Sequence, residues 1–224
     1  MDTKLKIAII IIASYLTGCI NLSYILAKLK GYDIRKHGSG NAGASNVILL
    51  MGRKAGLFVA IVDVLKAFVI VMVMTKLFPD IDYAGALSGT FVIIGHIFPF
   101  HMQFKGGKGF ATLGGTVLAL DARLFVVLLL ISLFIAFVTN YICFVPMSMS
   151  VAAALIYGWK MSSYVCMIIL LVAAVCINLR HIENIKRIRL GTEARFSTLW
   201  NRKAEADRFG VDMMLNGDEY DLYK

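Results

Sequence analysis

Apolar residues in this chain come in long unbroken runs, with neither the one-face stripe of a surface helix nor the alternation of a half-buried strand. A bilayer core about 30 Å thick is crossed by about 20 apolar residues in a helix. Runs approaching that length lie near 7–27, 56–78, 84–104, 124–139, 142–159 and 162–179, and a shorter, glycine-rich run lies at 109–120. The pattern predicts an all-α polytopic membrane protein of about seven transmembrane helices. The first run follows Lys4 and Lys6, exceeds a signal-peptide core in length and is closed by no A-x-A site, so it reads as a retained helix.

Composition agrees: 59% of the 224 residues are hydrophobic and 17% charged, where soluble domains have about 45–50% and about 25%. The net charge of +9 matters through its placement. With seven spans, 17 of the 23 Lys and Arg residues fall in 28–54, 104–108 and the stretch from 180 onward, all on one side. Cytoplasmic loops carry the basic excess, which predicts the N-terminus outside and the C-terminus in the cytoplasm. Cys19, Cys143, Cys166 and Cys176 all lie in apolar stretches without metal-ligand spacing, so they read as buried fillers, and no metal or cofactor is expected.

A few polar residues interrupt the runs: Asn21, Asp63, Lys66, His96 and Asn178. Asp63 and Lys66 share a helix face, either as a self-neutralising structural pair or as support beneath a polar site. Gly85 and Gly89 form a GxxxG that allows close helix packing.

Three segments on the basic side concentrate glycine, small polar residues and cations. The first, 38–46, places Ser39, Asn41, Ser45 and Asn46 among Gly38, Gly40 and Gly43, and reads either as a flexible loop or as a nest of donors for an anion. In the second, 104–109, Lys105, Gly106, Gly107 and Lys108 stand before an apolar run, where free N–H groups and the helix dipole favour phosphate. It is not a Walker A loop, because Met102 and Gly109 stand where that motif needs Gly and Ser or Thr. In the third, 180–193, Lys186, Arg187 and Arg189 suit a headgroup anchor, while His181 and Asn184 lie one helical turn apart on one side. Together they suggest a site for a small phosphorylated molecule beside lipid. Aromatic and basic residues are not interleaved, so nucleic acid is not expected, and no G-x-S-x-G elbow marks a serine hydrolase.

The stretches GSGNAGASNV at 38–47, DVLKA at 63–67, GHIFPFHMQFKGGKGFAT at 95–112 and RHIENIKRIRLGTE at 180–193 resemble the PlsY-type glycerol-3-phosphate acyltransferases, bacterial integral membrane enzymes. The resemblance covers residues 1–195 and implies a seven-helix membrane domain. It also implies transfer of a fatty acyl group from acyl phosphate to the 1-hydroxyl of glycerol 3-phosphate, without acyl-CoA. The HxxxxD signature of the other large acyltransferase class is missing here, as it is in that family. Implied partners are the two substrates and membrane lipid, with room for other phospholipid-synthesis enzymes. The implied location is the inner (plasma) membrane, with the site facing the cytoplasm.

Carried over by position, Ser39, Lys108, His181 and Asn184 are the implied catalytic residues, and Gly38, Gly40, Asn41, Asn46, Arg53, Lys105, Gly106 and Gly107 the implied substrate-binding ones. An acyl phosphate already has a good leaving group, so such a site mainly positions two anions and stabilises developing charge. That favours direct attack by the hydroxyl, its proton passing to His181 or to a substrate phosphate. Two departures stand out. The family's arginine after the first motif is Leu49 here, with Arg53 one helical turn later, and a TRYVS-type segment reads Thr139, Asn140, Tyr141, Ile142, Cys143. They favour, as an alternative, a diverged relative with another substrate or no catalysis. A small-anion transporter fits less well, because the polar residues gather on one face and no matched pair of broken helices appears. Residues 196–224 lie beyond the resemblance and read as a cytoplasmic tail, poorly ordered or with an interfacial segment at Trp200.

Overall fold

The computed structural model describes residues 1–193 and 195–198. They form nine α-helices and three short 3-10 turns, with no strand among the described residues. The helices are α1 (Thr3–Cys19), α2 (Leu22–Leu29), α3 (Ala44–Met51), α4 (Arg53–Leu77), α5 (Ala84–Ile97), α6 (Phe110–Leu120), α7 (Ala122–Thr139), α8 (Phe144–Lys160) and α9 (Tyr164–Arg189). Helix forms at each of the seven apolar runs. The stretches Thr3–Leu29, Arg53–Leu77, Ala84–Met102, Ala122–Thr139 and Tyr164–Arg189 are long and apolar enough to cross a membrane. α6 and α8 have 11 and 17 residues. The interfacial segment expected at Trp200 and most of the tail lie outside the described residues.

Helix α5 runs through the middle of the bundle, buried along nearly its whole length. Its small residues make that possible, since backbones approach closely only where side chains are short. A Cβ on Gly95 would collide with the Tyr15 carbonyl of α1, and one on Gly18 with the Val92 carbonyl of α5. At Gly89 a Cβ would strike Thr116 of α6, so the GxxxG seats α5 against its neighbours. The outer faces remain apolar and exposed, as at Leu57 and Leu65 of α4, Phe134 and Phe137 of α7, and Ile168 and Val175 of α9. In a bilayer these faces meet lipid, and the backbone polar groups are satisfied within each helix.

Two breaks depart from the sequence pattern. The first apolar run is two helices, because Asn21 turns its side chain to cap α2, Oδ1 accepting from Tyr24 N–H at 2.8 Å. Within 28–54, read from sequence as loop, residues 44–51 form α3. Gly52, at φ +93°, ends α3 and lets α4 start at the next residue.

Contacts between helix ends sort the connections into two groups. At one end, Lys6 pairs with Asp80 at 2.6 Å, and Lys160 with Asp121. At the other, the three polar segments gather, and the 139–142 turn joins them: Phe196 N–H donates to Asn140 O at 2.8 Å, and Ser197 N–H to Asn140 Oδ1 at 2.9 Å.

Candidate active site

The 38–46 loop is shaped by two left-handed glycines and one buried amide. Gly38 and Gly40 have φ of +56° and +69°, which side chains resist. Asn46, at the start of α3, accepts from Ser39 N–H at 3.0 Å and donates to the carbonyls of His37 (3.0 Å) and Ile34 (3.2 Å). A Cβ on Gly38 would strike Asn46 Oδ1. Asn46 is therefore the bracket of this loop and not a free donor. Asn21 adds a second brace, donating to Ala42 O at 3.0 Å. The Ser39 hydroxyl has no partner among the described residues, and Asn41 Oδ1 is buried without one.

Leu49 is 4% exposed, and its Cδ2 stands 3.0 Å from where a Gly38 Cβ would lie. An aliphatic group thus borders the loop at the position of the missing arginine. Arg53 and Lys105 are exposed.

The KGGKG loop differs from its sequence reading in one respect. Its glycine N–H groups are already engaged: Gly106 donates to Ile97 O at 3.0 Å and Gly107 to His96 O at 3.1 Å. These glycines are required by close approach, since a Cβ on Gly106 would meet the His96 carbonyl and one on Gly107 the His96 ring. The loop's chemistry lies one residue on. Gly109, at φ +85°, opens α6, and Lys108 points toward α9.

On α9 the register places Ile177, His181 and Asn184 on the buried face. Lys108 Nζ donates to Asn184 Oδ1 at 2.6 Å, and Asn184 Nδ2 donates to Glu193 Oε1 at 2.6 Å. Glu193 Oε2 accepts from Arg187 Nε at 2.6 Å. Glu193 returns to the helix because Gly191, at φ +72°, turns the chain, with Thr192 N–H donating to Arg187 O at 2.9 Å. Burial, then the nearby Arg187 cation, pushes the Lys108 ammonium down to about 8. His181 Nδ1 lies 2.8 Å from Ile177 O. A carbonyl only accepts, so Nδ1 carries a proton, and when the ring is neutral its lone pair is on Nε2.

Arg35 and Arg180, not singled out from sequence, tie the segments together. Arg35 is paired with Asp33 at 2.6 Å and donates to Met102 O, while Met102 packs in the core beneath the first loop with Ile34, Ala42 and Val47. The Arg35 guanidinium holds the Asp33 carboxyl down to about 2. Arg180 Nη2 lies 3.4 Å from Gly106 O. The turn at Met102, just before the KGGKG segment, therefore packs beneath the first loop, and Gly106 within the segment meets α9. Glu193 was missed because a lone acid among cations reads as surface charge until Gly191 folds it back.

A bundle with lipid-facing helices and one polar, cation-rich end defines an integral membrane protein. Comparison with known proteins narrows this. Residues 8–191 match the family model described as glycerol-3-phosphate acyltransferase. The glycerol-3-phosphate acyltransferase of Macrococcus caseolyticus is 36% identical over 195 residues, covering 85% of this chain and 97% of that protein. That of Aquifex aeolicus is 34% identical over 86% of this chain and 100% of its own length. Two crystal structures of PlsY, an integral membrane glycerol 3-phosphate acyltransferase, superpose on this chain. The glycerol 3-phosphate form has a TM-score of 0.78 and 34% identity, covering 87% of this chain and 97% of that one. The lysophosphatidic acid form has a TM-score of 0.76 and 31% identity, covering 87% and 98%. This chain belongs to the glycerol-3-phosphate acyltransferase family.

Proposed function

We propose that this chain transfers a fatty acyl group from acyl phosphate to the 1-hydroxyl of glycerol 3-phosphate, giving lysophosphatidic acid and inorganic phosphate. The observation that carries the reading is the half-buried Lys108 ammonium held by Asn184 where the KGGKG loop meets α9. A desolvated, pre-positioned cation is what a reaction between two phosphorylated substrates needs. Ser39 and His181 complete the catalytic set, and the exposed Lys105 and Arg53 meet substrate phosphate on its way in.

In the reaction the glycerol oxygen attacks the acyl carbonyl carbon and forms the new ester bond. The bond from that carbon to the phosphate oxygen breaks, and phosphate leaves with the electron pair, its charge met by Lys108. The hydroxyl proton passes to His181 Nε2 or to a substrate phosphate oxygen. No acyl-enzyme is formed: Cys143 is only 3% exposed, and no base is hydrogen-bonded to the Ser39 hydroxyl among the described residues. Asn184 acts on Lys108, and Gly38, Gly40, Asn41, Asn46, Gly106 and Gly107 act through the shape of the two loops.

The membrane domain, residues 1–195, crosses the bilayer seven times, N-terminus outside and site in the cytoplasm, and 196–224 is a cytoplasmic tail. The basic excess at the site's end supports that orientation. The location is the inner (plasma) membrane, where the acyl phosphate donor partitions with lipid.

The test is donor selectivity of the purified full chain, with product identified by mass spectrometry. Palmitoyl phosphate should yield lysophosphatidic acid and palmitoyl-CoA should not; the reverse preference would overturn the reading. A second reading, altered acceptor choice, is favoured by Leu49 beside Gly38. Turnover with another phosphorylated alcohol at a higher kcat/KM than with glycerol 3-phosphate would establish it.

A further inference from the structure

Beneath the KGGKG loop lies a buried charged cluster to which the reaction assigns no part. Lys66 Nζ stands 2.7 Å from Asp63 Oδ1 and 3.1 Å from His96 Nδ1, and donates to Ile20 O at 2.6 Å and Gly18 O at 3.2 Å. The side chains of Asp63, Lys66 and His96 are 3%, 7% and 4% exposed. Ionised groups inside an apolar bundle are costly, and buried ion pairs are more convincing as devices of specificity than of stability. Two of the Lys66 contacts have a simple purpose, since Gly18 and Ile20 offer end-of-helix carbonyls that α1 cannot satisfy itself. The contact with His96 is not explained that way.

His96 sits in the last turn of α5 and holds the loop twice. Its carbonyl accepts from Gly107 N–H at 3.1 Å, and its ring edge at Nε2 fills the volume a Gly107 side chain would occupy. Nδ1 lies 3.1 Å from Lys66 Nζ and 3.5 Å from Asp63 Oδ1, so the ring's rotation is set from below by both. The next residue along the chain is Lys108, whose Nζ must reach Asn184. We propose that His96 is a positioning residue, oriented by Lys66 and Asp63, whose ring seats Gly107 and thereby delivers Lys108 to Asn184.

Its consequence for rate rests on the acyltransferase reading, but its geometry does not, and the experiment separates the two. His96→Asn keeps an acceptor near the place of Nδ1 and removes the ring edge beside Gly107. Gly107→Ala drives a methyl into the intact ring. In the full-length protein each single variant should lower kcat/KM for glycerol 3-phosphate by about tenfold or more, and the double variant should be no worse than Gly107→Ala alone, because the shorter Asn relieves the clash. Amide hydrogen exchange over residues 104–110 should rise in His96→Asn while α1, α4 and α5 keep wild-type protection.

Single-variant losses that multiply in the double variant would overturn the proposal. So would loop exchange that stays at the wild-type rate, or that rises equally through α1, α4 and α5, because His96 would then merely hold helices together. The exchange measurement needs no turnover. A wild-type protein that makes no lysophosphatidic acid would refute the acyltransferase reading and leave the seating of Gly107 to be decided by exchange alone.

Discussion

Lys108 Nζ lies 2.6 Å from Asn184 Oδ1, although the two residues are 76 positions apart. The contact joins the loop before α6 to the C-terminal part of α9, and Asn184 passes it on to Glu193 and Arg187. One amide thus bridges a half-buried cation and a buried carboxylate. Removing it takes from Lys108 its hydrogen-bond partner on α9, while Glu193 keeps Arg187.

Asn184→Ala should therefore lower kcat on the order of 100-fold, the scale on which losing one pre-positioned electrostatic group acts. Lys108→Ala and Ser39→Ala should do the same, with membrane insertion and expression kept. Steady-state kinetics on purified variants checks this, and wild-type rates in all three would contradict the site.

The pH dependence follows from Lys108, whose ammonium is pushed down to about 8 by burial. A lysine is charged below its pKa, so the cation is present at neutral pH and lost as pH rises through about 8. The kcat/KM for glycerol 3-phosphate should fall over that range. Lys108→Arg keeps its charge to far higher pH, so its lower rate should stay flat there. A wild-type profile unchanged through pH 8 would remove Lys108 from the role given to it.

The Asp63–Lys66 pair makes a stability prediction. Lys66→Met strips a buried carboxylate of its partner, which costs about 3–5 kcal/mol in such settings. The double variant Asp63→Asn with Lys66→Met removes both charges and should recover most of that loss in detergent unfolding experiments. Equal instability of single and double variants would show that the α1 carbonyl caps, and not the charge pairing, dominate.

Leu49 gives a prediction of gain. It borders Gly38 next to Ser39, and a guanidinium there would reach the loop with charge-assisted hydrogen bonds. Leu49→Arg should lower KM for glycerol 3-phosphate roughly tenfold, the worth of one such bond. An unchanged KM in a folded variant would show that the chain has moved phosphate binding elsewhere.

Much of this was legible in the sequence, for identifiable reasons. Apolar runs long enough for a bilayer have one viable backbone solution, so the helices followed from composition alone. Lys108, His181 and Asn184 stood out because polar groups next to membrane spans are few. What stayed hidden depends on long-range placement. Asn21 reads as one polar residue in an apolar run, and only its capping of α2 shows the break. Gly106 and Gly107 read as free donors, yet their N–H groups close against the end of α5. Asn46 looked like a ligand because an amide has the same atoms whether it binds substrate or backbone. The role of Glu193 required knowing that Gly191 reverses the chain.

The most direct measurement is paired quantification of lysophosphatidic acid and inorganic phosphate made by the purified chain from palmitoyl phosphate, with and without glycerol 3-phosphate. Equal amounts of both products, appearing only when the acceptor is added, are the predicted result. Phosphate released at the same rate without acceptor, or no product from a folded protein, would contradict the account.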